Sequence, residues 1–254
     1  MRLFITLLPA VLALALQSAA GAETLSGYTY LTPEMQELQD DDFGNPGLLT
    51  VDQGGILFAA PNAGGKSCSS CHGDDGGELD TKQIARYPVY DPQTEKPLTL
   101  RGQVLQCWTQ RLGNPPLAYA DPRALQLEAF VRHLARGETV AVKVDAALQP
   151  YYDAGEKLFR TRWGQVDIAC HQCHDYHAGG IFRGQVMTQG QSNGFPAYRF
   201  TTGKMVGLPE RITECLTNLR ARPFPAGSDE YLALEVYMGA RSNGLKIETP
   251  AIRY

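Results

Sequence analysis

Past its first residues the sequence has no apolar run near membrane length, no surplus of positive charge and little histidine. Each shortage excludes something. A spanning helix needs about 20 apolar residues, so the bulk of the chain is expected to stay out of the bilayer. Lys and Arg number 23 against 27 Asp and Glu, a net charge of −4, which leaves no basic field for nucleic acid. An anionic substrate would need a local cationic site working against the overall charge. With 5 histidines in 254 residues, a histidine beside other metal-ligating side chains carries weight.

The one long apolar run, residues 3–16, follows Met1-Arg2 and precedes Ala20-Gly21-Ala22, the small-x-small pattern that signal peptidase cuts. Residues 1–22 are therefore read as a signal peptide and Glu23 as the mature N-terminus, giving a soluble exported protein without a membrane span. Its Lys+Arg count falls from 23 to 22 against 27 acidic residues, a net charge of −5. Export places the chain where disulfides form. The mature length fits two domains of about 100 to 120 residues better than one large core.

The chain also repeats itself. Gly54-Gly55-Ile56-Leu57-Phe58, Cys68-Ser69-Ser70-Cys71-His72 and Gln103-Val104-Leu105-Gln106-Cys107 recur in order as Gly155-Glu156-Lys157-Leu158-Phe159, Cys170-His171-Gln172-Cys173-His174 and Arg211-Ile212-Thr213-Glu214-Cys215. The offsets are 101 at the Phe, 102 at the first Cys and 108 at the last Cys. A fourth landmark, Leu127-Glu128-Ala129-Phe130, recurs as Leu234-Glu235-Val236-Tyr237. A period of this size is a domain, not a solenoid unit. The expected fold is mainly α: two tandem cytochrome c-like haem domains related by internal duplication, with long irregular loops. Domain limits fall at 23–145, including an N-terminal extension, and 146–254, with the junction near Asp145-Ala146. Helical periodicity marks residues 103–112, 124–135, 153–160, 209–219 and 229–238, while the Gly- and Pro-rich stretches 88–97 and 179–196 read as loops.

C-x-x-C-H is the haem c attachment sequence. The thiols of Cys68 and Cys71, and of Cys170 and Cys173, add to haem vinyl groups, and His72 and His174 lie under the irons as proximal ligands. Zinc also uses C-x-x-C pairs, but would not require a His immediately after the second Cys twice. Two haem c groups follow. Cys107 and Cys215 remain. A mutual disulfide needs their alpha carbons within about 7 Å, whereas equivalent positions in two domains point to one haem each. Both are read as the sixth ligands of their irons, 35 and 41 residues after the proximal His. Met187 and Met205 are alternatives for the second haem, but the first copy has no Met between His72 and Cys107. His133, His171 and His177 are read as surface or helix-face residues.

The halves differ at one telling position. Four residues before the last Cys stands Gln103 in the first half and Arg211 in the second. On a helix, i and i+4 share a face, so Arg211 projects beside the Cys215 sulfur and suits an oxoanion. A haem propionate is the other partner open to it. Arg241, Arg199 and Lys204 are further cation candidates.

Two C-x-x-C-H domains, a Cys after each, and Arg-x-x-x-Cys in the second closely resemble the dihaem SoxA subunits of the SoxAX cytochromes over essentially the whole mature chain. The resemblance implies a periplasmic heterodimer with a small c-type cytochrome, SoxX. It implies L-cysteine S-thiosulfotransferase activity, joining thiosulfate oxidatively to a cysteine of the carrier SoxYZ, with electrons passed through haem to a downstream cytochrome. It makes Cys215 both iron ligand and persulfide-forming catalytic residue, and Arg211 and Arg241 substrate-binding. A dihaem electron carrier without its own substrate and a dihaem peroxidase are the competing classes.

Overall fold

The structure, a computed structural model, describes residues 23–182 and 184–254; the signal-peptide reading lies outside the described residues. Among them no helix is long and apolar enough to cross a membrane. The fold is mainly helical. The first half runs α1 (Pro33–Asp40), α2 (Leu48–Ala59), α3 (Ser69–His72), α4 (Thr81–Ile84), α5 (Leu100–Gln106) and α6 (Pro122–Leu134). The second runs α7 (Gln149–Arg160), α8 (Cys170–His174), α9 (Leu208–Asn218) and α10 (Asp229–Arg241). The sequence punctuates them: Thr99 and Asp121 accept hydrogen bonds from the first turns of α5 and α6, and Pro122 and Pro209 occupy first turns where a missing N–H costs nothing.

In each half a helix before the haem motif packs on the half's last long helix, α2 on α6 and α7 on α10. The contact is the same in both. Gly54 lies so near the Gln126 carbonyl oxygen that a Cβ would come within 2.0 Å of it, and Gly155 so near that of Ala233 that the distance would be 2.1 Å. One turn on, Phe58 meets Phe130 with ring centres 5.0 Å apart, and Phe159 meets Tyr237 at 5.3 Å. Each of these phenylalanines then faces its proximal His ring, at 6.2 Å from His72 and 6.1 Å from His174. The helix pair thus carries the proximal wall of each candidate haem site. Gly155→Ala should destabilise the folded protein by about 2 to 3 kcal/mol, the upper range for overpacking, because the obstructing atom is backbone and cannot swing away. Urea unfolding of the haem-loaded protein measures it; a loss under about 0.5 kcal/mol would mean the helices separate easily.

Two apolar cores result. One gathers Phe58, Leu100, Leu127 and Val131, the other Phe159, Ile212, Leu216, Tyr231 and Leu234. The halves are not two beads. Ile247, near the C-terminus, is buried in the first core, and the Gly137 amide donates to its carbonyl. The last strand, Ala251–Arg253, lies in a sheet with Ala197–Arg199 and Lys204–Val206 and packs on α1.

Two stretches read as loop contain paired strands. Within 88–97, Val89–Asp91 pairs with Lys96–Leu98, turned by the Asp91 carboxylate, which accepts from the Gln93 amide and Thr94 hydroxyl. Within 179–196, Ile181–Phe182 pairs with Gln185–Val186. The segment expected to be helical over 103–112 changes character part-way. It is α to Gln106, then widens to a π-helix over Cys107–Arg111, a widening frequent at functional sites.

Candidate haem and sulfur site

Each C-x-x-C-H motif folds as one helical turn, α3 or α8, with all six cysteines of the chain left as unpaired thiols. Burial pushes the Cys68 thiol up to about 11 and that of Cys170 up to about 12, with the charge of Cys107 acting on Cys68 and that of Cys215 on Cys170. Cys215 acts on Cys173 as well. Each late cysteine thus lies near enough to the motif of its own half for their charges to interact. Met187 is held by backbone pairing to Gly179 and Gly180, and Met205 lies in the strand Lys204–Val206.

His174 is held in one orientation. Its Nδ1 donates to the Thr188 carbonyl at 2.7 Å, which fixes the ring and turns Nε2 into the free lone-pair nitrogen. Gly190 passes over the ring so closely that a Cβ would stand 3.1 Å from Cγ. Burial lowers the pKa of His174, keeping the imidazole neutral, and Arg211 and Arg241 add to that. Unpaired, mostly half-buried thiols, an oriented neutral imidazole and a third thiol nearby fit a covalently attached haem. Among the described residues no group of three or more His, Cys, Asp or Glu is placed to hold a bare metal ion, as four-coordinate zinc would need.

The two late cysteines sit differently. In the first half the Gln103 side-chain amide donates to the Cys107 sulfur at 3.2 Å, and the Tyr87 hydroxyl donates to Gln103 Oε1 at 3.2 Å. In the second, Arg211 turns to Glu214, with Nη1 3.1 Å from Oε2. Arg199, almost fully buried, places Nε 3.3 Å from the same oxygen. Arg241 points to the proximal side: Nη2 donates to Asp175 Oδ1 at 2.7 Å and the Gln189 carbonyl at 3.0 Å, with the guanidinium 4.9 Å from the Phe159 ring centre. Lys204 is an exposed strand partner of Arg199.

Of the other histidines, His133 meets the Thr249 carbonyl at 2.9 Å and His171 packs edge-on against Tyr176. Sequence reasoning missed Tyr87, Thr188, Asp175 and Glu214. Only Glu214 carried a signal, a carboxylate adjoining Cys215 and three residues after Arg211 on the same helix.

The sequence profile of the SoxA/TsdA cytochrome c domain matches this chain twice, over residues 53–140 and 154–247. The chain belongs to the SoxA/TsdA cytochrome c family. As in any cytochrome c domain, its haem is haem c, covalently bound. Its relatives include the L-cysteine S-thiosulfotransferase subunit SoxA of Pseudaminobacter salicylatoxidans, 37% identical over 91% of this chain and 81% of that protein. The subunits of the same name from Rhodovulum sulfidophilum and Paracoccus pantotrophus are 34% and 35% identical. A chain of the crystal structure of SoxXA from P. pantotrophus superposes with a TM-score of 0.82 at 33% identity, covering 90% of this SoxA/TsdA family member and 86% of that chain. The two profile matches begin just before Gly54 and Gly155, the helix-crossing glycines.

Proposed function

We propose that this chain is the dihaem subunit of a periplasmic L-cysteine S-thiosulfotransferase, built from a duplicated cytochrome c-like unit with limits at 23–145 and 146–254. It joins thiosulfate to a cysteine of a SoxYZ-like carrier and works as a heterodimer with a SoxX-like cytochrome, which leads electrons to a downstream cytochrome. One haem c is held by Cys68, Cys71 and His72 with Cys107 as sixth ligand, the other by Cys170, Cys173 and His174 with Cys215. The observation that carries the reading is the contrast at the late cysteines. Cys107 is tied down by a neutral amide, whereas Cys215 has cations one turn away and on the neighbouring strand.

Joining a thiol to thiosulfate as an S–S bond releases two electrons and one proton. The haems supply one-electron acceptors for that step. Arg211 binds the sulfonate end and offsets charge as the bond forms. Cys215 receives the sulfane sulfur, and thiol exchange passes the adduct to the carrier cysteine. His174, fixed by Thr188, holds the proximal side of the site, and Arg241, braced by Asp175, adds positive charge there.

The purified heterodimer should retain two haems after denaturation and show haem reduction that requires both thiosulfate and carrier. Arg211→Gln, which gives the second half the residue of the first, removes a charge-assisted contact of about 1.5 to 3 kcal/mol. It should lower kcat/KM for thiosulfate by roughly 10- to 150-fold. Reduction independent of carrier, or peroxide turnover in its place, would sink the proposal in favour of an electron carrier or a peroxidase.

A further inference from the structure

Resting on the function just proposed, we infer that Arg199 is the second cation of an anion subsite beside Cys215, taking the sulfonate end of the substrate together with Arg211. Arg199 ends the middle strand of the three-stranded sheet, and its side chain is only 5% exposed. A guanidinium removed from water normally has its N–H groups paired, and an unpaired one calls for an explanation. Here Nη1 has no hydrogen-bond partner, and Nε, although 3.3 Å from Glu214 Oε2, is not aligned for a hydrogen bond.

Glu214 Oε2 also accepts from Arg211 at 3.1 Å. One carboxylate thus draws together two guanidiniums that repel each other. The cluster keeps one positive charge in excess and a buried donor without an acceptor. Arg199 feels the charge of Arg211 and the opposing charge of Cys215, so the two guanidiniums and the unpaired donor adjoin the sulfur they partly neutralise. Thiosulfate offers oxygen acceptors at one end and a terminal sulfur at the other. Seating the oxygens on Arg199 and Arg211 leaves that terminal sulfur for Cys215. Arg199 stands far from Cys215 in sequence, on a strand rather than on α9, so the helix-face argument that finds Arg211 does not single it out.

A haem propionate is also an oxoanion, and the test separates it from substrate. In the complete haem-loaded heterodimer, Arg199→Met should raise both the KM for thiosulfate and the dissociation constant of thiosulfate by about tenfold or more, the size of one lost charge-assisted hydrogen bond. The dissociation constant is read from haem absorbance with no carrier present, and the first haem's potential should not move. Arg199→Lys should recover part of the loss, because it keeps the charge without the planar fork. Both constants within about twofold of the wild type would overturn the inference. If both constants hold and only the second haem's potential shifts, Arg199 serves a propionate instead. Should Arg199→Met fail to load two haems, Arg199→Lys decides alone: a rise of about fivefold in KM is expected, and an unchanged KM overturns the inference. A wild-type complex that transfers no thiosulfate would defeat the proposed function instead, a result distinct from either outcome.

Discussion

Cys215→Ala should abolish thiosulfate transfer while both haems stay attached. In the proposed assignment attachment uses the thiols of Cys68, Cys71, Cys170 and Cys173, none of which the substitution touches. The helix should also survive, since alanine is the best helix former and the Cys215 side chain is not in the buried core. What disappears is the sulfur that α9 presents to Cys170 and Cys173, and with it the group proposed to carry the sulfane adduct. Removing a covalent catalyst's own nucleophile costs on the order of a thousandfold or more. Intact mass should show extra sulfur on Cys215 in the wild type, released by a reductant, with Cys107 unmodified; the Gln103 amide on the Cys107 sulfur agrees with a cysteine that stays a ligand. Trapping that mass before carrier is added places attack by Cys215 first. Wild-type rates from Cys215→Ala would make this sulfur a bystander and leave an electron carrier as the better reading.

Much of this site was legible because its parts recur at domain spacing. The repeated Gly, Phe and C-x-x-C-H landmarks locate both helix crossings and both candidate proximal histidines, and Arg211 is singled out by comparison with Gln103. What was illegible has physical reasons. The partner of His174 is a backbone carbonyl, Thr188, and a carbonyl has no sequence identity. The hairpin within 88–97 has strands of three residues, too short for alternation to rise above noise. The widening at Cys107 follows from no residue preference that the sequence displays. Arg199 is legible only as one of several candidate cations until the fold brings it and Arg211 to one Glu214 oxygen. Likewise, nothing local announces that Ile247 belongs to the first core.

Arg101→Met should be the most damaging single change outside the haem motifs, with a loss of about 3 to 5 kcal/mol, the cost of stranding the nearly buried Glu128 carboxylate and a buried cation's other contacts. Arg101 is 1% exposed. From α5 in the first half its Nε donates to Glu128 Oε2 at 2.8 Å, while both terminal nitrogens donate to Glu210 on α9. One planar fork therefore ties α6 to the helix that carries Arg211 and Cys215. Beside it Glu235, pushed up to about 8 by burial, keeps its proton at neutral pH and accepts from the Tyr119 hydroxyl, so it makes no demand on Arg101. Glu128 does. Burial already raises its pKa above the ordinary 4.5 with Arg101 opposing the shift, and without Arg101 burial and the Glu210 charge raise it further against Arg132 alone. A carboxyl whose folded pKa is raised leaves stability intact below the unfolded value and removes it as pH climbs toward the folded one. The variant's deficit should therefore be small near pH 4 and grow as the pH rises. Urea unfolding of the haem-loaded protein at several pH values measures it, and replacing Glu128 by Gln in the same variant should return part of the loss. A deficit below about 1 kcal/mol at neutral pH, or one that does not change with pH, would show that water reaches these carboxylates and that the halves do not depend on Arg101.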